Sequence, residues 1–161
     1  LARPKLQGLF GNEPGFVPGA VPDLWVFDGP LVFTYSDGKI TIPKGATTDF
    51  ASVPKALDWV PFLDRQGNSR LPGALHDGIY RLGQEKGKDF ADGILKAACL
   101  DLGMTTWEAQ TYYLGVHWFG KSSWAFDAAM PNYGDLSAKF EFRADYDAWM
   151  ASGGTIYSPS K

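Results

Sequence analysis

The hydrophobic period of the chain changes between Pro43 and Ser52, and that change sets what the chain can fold into. Upstream, Leu24–Phe27 and Leu31–Tyr35 are β-branched and aromatic runs separated by Asp28, Gly29 and Pro30. Lys39–Pro43 alternates, with Ile40 and Ile42 on one face and Thr41 on the other. Ser36-Asp37-Gly38-Lys39 reads as a hairpin turn, because Asp-Gly accepts the positive φ of a tight turn. Downstream, apolar residues recur three or four apart: Leu75, Ile79 and Leu82, then Ala91, Leu95, Ala98 and Leu102. A two-residue period followed by a helical one implies an α+β fold: a small N-terminal antiparallel sheet followed by three or four packed helices.

Capping residues mark the helix ends. Ser52 caps a short helix through Pro54, Ala56 and Leu57, and residues 61–70 form a loop. Helices are expected over Pro72–Leu82 and Phe90–Leu102, the second stopped by Gly103. Thr105 and Glu108 make a capping box for a helix through Ala109, Tyr113, Val116 and Phe119, ended by Gly120. Residues 140–150 hold one more short helix. Residues 1–23 are rich in Pro and Gly and read as an extended, irregular arm. Residues 24–120 read as the single core domain, and 121–161 as a C-terminal extension whose last ten residues fray.

Composition removes several functions. The net charge is −3 and no Lys/Arg run stands out, which argues against binding nucleic acid through its phosphates. Cys99 is the single cysteine, so no intrachain disulfide forms and a disulfide-stapled secreted scaffold is excluded. No apolar run reaches the length of a membrane span, and no signal peptide is visible. Six Trp, seven Tyr and eleven Phe point to a heavily packed core or an apolar binding surface.

The chemistry concentrates in LHDGIY, residues 75–80. On a helix, Tyr80 shares the face of His76, and Asp77 is rotated by about 100°. Asp77 therefore suits a metal better than it suits orienting the imidazole. A histidine base needs a separate carboxylate. Asp92 stands on the edge of the next apolar stripe, and a short connection would fold that helix back beside the first. The expected arrangement is His76 as base, Asp92 as orienter, Tyr80 as supporting hydroxyl and Asp77 as metal ligand. His-Asp on a helix, taken alone, is more often structural; the combination is what points to a site. In GATTDFASVP (45–54), Ser52 reads as a cap, while Asp49 either caps the turn or joins Asp77 as a second metal carboxylate. A zinc set of His76, Asp77, Asp49 and His117 matches no zinc spacing, and His117 reads as packed or half-exposed. Cys99, among Ala and Leu, reads as a core residue.

TDFASVP (48–54), LHDGIY (75–80), FAD (90–92) and HWFG (117–120) together resemble a phage- and prophage-associated family of unknown function, over about residues 24–120. That resemblance implies origin in a phage or prophage, in the virion or in the host cytoplasm during infection, and does not by itself imply an activity. The HDxxY helix with a distant Asp is also similar to phospholipase A2, especially the disulfide-free type of parvovirus capsids. That similarity implies that His76 activates water, Asp77 binds calcium or another divalent metal, and Asp92 orients His76. The glycine-rich calcium loop of that enzyme has no counterpart in DRQGNSR (64–70), so TTDFASVP would have to replace it. The expected function is a metal-dependent, phospholipase-like ester hydrolase acting on host envelope lipid. The alternative is a non-catalytic virion component of tail, baseplate or capsid, partnered by other virion proteins, whose HD…AD network is structural.

Overall fold

A computed structural model describes residues 7–50, 70–134 and 138–159. The fold is α+β: an N-terminal antiparallel sheet region followed by five α-helices among the described residues. The expected Ser52-capped helix lies outside the described residues.

Strand β4 (Leu31–Tyr35) pairs with β5 (Gly38–Ile42), with Leu31 opposite Ile42, Phe33 opposite Ile40 and Tyr35 opposite Gly38. Every second residue of both strands is buried, as the alternation requires. The turn has two residues, Ser36 and Asp37, and none of Ser36, Asp37 and Gly38 takes a positive φ. Gly38 is needed for another reason: a Cβ there would lie 2.8 Å from the Ser158 carbonyl. That contact comes from β7 (Tyr157–Ser158), which pairs with β5. The tail expected to fray is instead anchored over residues 156–158, with Ile156 buried in the core.

The irregular arm is likewise corrected. Strand β1 (Gly8–Phe10) pairs with β4, giving the order β1-β4-β5-β7. Strands β2 (Phe16–Pro18), β3 (Trp25–Phe27) and β6 (Thr47–Thr48) form a second sheet in the order β2-β3-β6. There are thus two sheets where one was expected. Asp28-Gly29-Pro30 ends β3, and β3 and β4 then enter different sheets.

The helices are α1 (Arg70–Leu82), α2 (Lys88–Asp101), α3 (Thr106–Phe119), α4 (Lys121–Ala129) and α5 (Arg143–Ala151). A short 3₁₀ turn (Gln84–Lys86) and Gly87, at φ +88°, turn the chain from α1 into α2. The capping box forms: Thr105 Oγ1 accepts from the Glu108 N–H at 3.1 Å, and Glu108 Oε1 accepts from the Thr105 N–H at 3.0 Å. Leu31, Phe33, Ile40 and Ile42 of the sheet share one core with Ala74, Leu75, Ile79, Ala91 and Ile94 of α1 and α2. Burying each Leu, Ile or Phe side chain among them contributes about 1.5–3 kcal/mol. A Cβ on Gly78 would sit 2.5 Å from Ile42 Cδ1, so the glycine in LHDGIY lets α1 lie close on the sheet. Cys99 belongs to a smaller cluster with Leu95, Met104, Ala109 and Val116, and burial, with Glu108 adding to it, pushes its thiol up to about 12.

Candidate functional site

The core positions His76 and Tyr80 one turn apart on α1, and α2 brings Asp92 between them. His76 Nε2 donates to Asp92 Oδ1 at 2.8 Å, and the Tyr80 hydroxyl donates to the same oxygen at 2.7 Å. Lys88, one turn before Asp92, places Nζ 2.7 Å from Oδ2. Asp92 is 0 % exposed and His76 3 %. Burial works to raise the Asp92 pKa, but the hydrogen bonds from His76, Lys88 and Tyr80 outweigh it and hold the carboxyl below its ordinary value. Burial and the Asp92 charge push the Tyr80 phenol well above its usual range, so it stays a donor.

An ionised Asp92 can only accept, so the proton on the His76 side of the pair belongs to Nε2. In the neutral ring, Nδ1 then carries the lone pair. Nδ1 is buried and has no hydrogen-bond partner among the described residues. A histidine held at one nitrogen by a charged acceptor, with the other unpaired, can take a proton from a bound molecule.

Lys88 was absent from the sequence reading. Its ammonium also donates to the carbonyls of Val116 at 3.0 Å and His117 at 3.1 Å, the last turn of α3, where the helix dipole favours a cation. The signal was present as a Lys four residues before a buried Asp. Trp124 of α4 packs edge-on against Tyr80, with ring centroids 4.9 Å apart. Gly120 permits this approach, since a Cβ there would lie 2.9 Å from the Tyr80 hydroxyl.

Asp77 points elsewhere. Its Oδ2 accepts from the Thr48 hydroxyl at 2.8 Å and from the Asp49 N–H at 3.0 Å. Thr48 Oγ1 in turn accepts from the Phe50 N–H at 2.8 Å. Phe50 is buried at φ +64°, a left-handed conformation that a bulky side chain rarely takes. Asp77 thus pins the Thr48-Asp49-Phe50 turn onto α1, which is why TDF and HD belong together. The remaining residues of TDFASVP lie outside the described residues.

His117 is half-buried. Its Nδ1 is 3.6 Å from Asp89 Oδ1 and 3.8 Å from Asp92 Oδ2, and its ring stacks on Tyr113. It approaches Asp92 from the Lys88 side, not the His76 side. Among the described residues, no three of His, Cys, Asp and Glu converge as a metal site.

The sequence pattern of a family described as a protein of unknown function, DUF1353, matches residues 25–116, over half of the chain. The chain belongs to the DUF1353 family. His76, Asp77, Tyr80, Lys88 and Asp92 all lie inside the DUF1353 segment, whereas α4 and the anchoring strand β7 lie beyond it. No curated protein and no solved structure matches the chain. Among the described residues, no helix of this DUF1353 protein is long and apolar enough to cross a membrane.

Proposed function

We propose that His76 is a general base, oriented by Asp92, that activates water to hydrolyse an ester. On this reading the protein is a phage-encoded, phospholipase A2-like hydrolase acting on host envelope lipid. The carrying observation is the split state of the imidazole: Nε2 is held by an ionised carboxylate, and Nδ1 is buried with no hydrogen-bond partner among the described residues. Leaving a buried polar atom unpaired costs about 1–3 kcal/mol, which a purely structural histidine has no reason to retain. In the reaction, Nδ1 takes the water proton, the hydroxide adds to the ester carbonyl, and the protonated ring returns the proton to the leaving alkoxide. Asp92 stabilises the imidazolium, and Tyr80 and Lys88 hold Asp92 in place.

A divalent cation, calcium first, is part of the proposal, with Asp77 and Asp49 as its carboxylates. Two carboxylates fall short of the six to eight oxygens calcium takes, and Asp77 Oδ2 already accepts two hydrogen bonds. No step is therefore routed through the cation.

The burial of the pair supports a second reading, a non-catalytic virion component in which Lys88 and Asp92 tie α1, α2 and α3 together. Fatty-acid release from phospholipid vesicles, with and without calcium, separates the two. Hydrolysis lost in both His76→Ala and Asp92→Asn, with the fold kept by circular dichroism, supports the base. Activity retained in either variant removes the dyad. An inactive wild type leaves the structural reading.

A further inference from the structure

Helix α4 lies over Tyr80, yet it is docked differently from its neighbours. Of its nine residues one is buried, and that residue is a carboxylate, Asp127. A surface helix ordinarily docks through a stripe of apolar side chains. In α4 the side chain that packs against the core is Trp124, half-buried and edge-on to Tyr80. Gln84 Nε2 adds a hydrogen bond to the Trp124 carbonyl at 2.8 Å. The N-terminus of α4, at Gly120, has no side-chain cap.

Asp127 is poorly provided for. Its carboxylate makes no hydrogen bond among the described residues, and Arg81 Nε lies 3.8 Å from its Oδ1. That distance allows attraction but no hydrogen bond. Arg81 is itself committed elsewhere, since its Nη1 donates to Thr47 Oγ1 at 2.7 Å. The other charged or titratable groups that face Asp127 are Tyr80 of α1, Asp49 of the turn after β6, and Lys139. A buried carboxyl costs far less when neutral than when ionised without hydrogen bonds. The docking of α4 therefore depends on the Asp127 proton.

Both ends of α4 are fixed. A Cβ on Gly120 would meet the Val116 carbonyl and the Tyr80 hydroxyl, so the chain is closely packed there. Met130 is buried, and the Pro131 carbonyl accepts from the Lys139 N–H at 2.9 Å. A segment with few buried apolar contacts, between fixed ends, is the kind that opens locally while the rest of the fold stays intact. We propose that α4 is a proton-operated flap over Tyr80, docked while the Asp127 carboxyl is neutral and opening locally when it ionises. Opening lifts Trp124 from Tyr80 and uncovers the phenol that donates to Asp92. The inference stands whether or not His76 is catalytic.

Burial, against the pull of Arg81, pushes the Asp127 carboxyl up to about 6. The docked helix thus holds the proton more tightly than the open one. Docking weakens as pH rises from 3.8 through about 6 and is level above that. At tenfold for each pKa unit, the opening constant rises on the order of twentyfold between about pH 4.5 and about pH 7.

Amide hydrogen exchange of the whole chain, corrected for the intrinsic effect of pH, tests the flap. At pH 7 the amides of residues 124–129 are expected to exchange faster than those of α2, which open only with the whole fold. Their opening constant is expected to fall about twentyfold at pH 4.5. In Asp127→Asn it should keep its low-pH value at both pH values. Protection of α4 equal to that of α2 at pH 7 overturns the proposal. So does an opening constant that does not change with pH in the wild type, or a pH dependence that survives in Asp127→Asn. The wild-type comparison decides alone where the variant fails to fold.

Discussion

Asp127→Asn should stabilise this protein at neutral pH although it deletes a carboxylate that faces an arginine. Asp127 is buried on α4, and that burial pushes its pKa up to about 6 from the ordinary 3.8. The guanidinium of Arg81, 3.8 Å away, and Lys139 pull it down, Asp49 adds to the rise, and burial wins. The folded chain therefore holds a proton between pH 3.8 and about 6 that the unfolded chain has lost. Stability falls as pH rises through that window and is level above it. At ~1.4 kcal/mol for each pKa unit, ionising Asp127 costs the fold about 2–3 kcal/mol by pH 7. Asparagine mimics the protonated form. Urea unfolding of wild type and variant should coincide near pH 4 and separate by pH 7, the variant being more stable by about 2–3 kcal/mol. That corresponds to a Tm about 4–12 °C higher for a chain of this size. A variant less stable at pH 7, or a gap that does not change with pH, would mean that the Arg81 pair outweighs the burial cost and would refute the reasoning.

Gly78→Ala places a methyl group 2.5 Å from Ile42 Cδ1 and 2.7 Å from its Cγ1, so it should destabilise by about 1–3 kcal/mol despite the better helix propensity of alanine, read as a lower urea midpoint. Stabilisation would show that α1 does not rest on β5 there. Ile156→Ala should cost about 2–5 kcal/mol in the same assay, because Ile156 is 1 % exposed and packs over Gly83. A change below the error of the assay would return the C-terminus to a frayed tail. Asp92→Asn should lower stability by about 3–5 kcal/mol at pH 7, since Lys88 loses its buried counter-charge. Because its pKa is held down in the fold, the Asp92 contribution is present above about pH 4 and fades below it, so variant and wild type should converge in acid. A loss that persists in acid would assign the cost to shape rather than charge.

Local patterns carried much of this structure. The stripes of α1 and α2 are visible three and four residues apart, and the expected spans Pro72–Leu82 and Phe90–Leu102 differ from Arg70–Leu82 and Lys88–Asp101 by one or two residues at each shifted end. The Thr105 capping box needs only its own four residues, and it forms as written. The meeting of His76, Tyr80 and Asp92 was also legible, because helical repeat fixes the faces and a short connection fixes the neighbour. What the sequence by itself determined is therefore whatever depends on contacts between residues close along the chain. Tertiary structure decided the rest. Strands β1 and β7 are short, and their register comes from distant partners such as Phe33 and Ile40. Helix α4 has little apolar stripe; its place depends on Gly120 letting it close over Tyr80. Lys88 at the end of α3, and Arg81 between Thr47 and Asp127, gain their meaning only from groups that folding brings to them. A buried charge is tolerable only beside a partner, and no local pattern names a partner supplied from elsewhere in the chain.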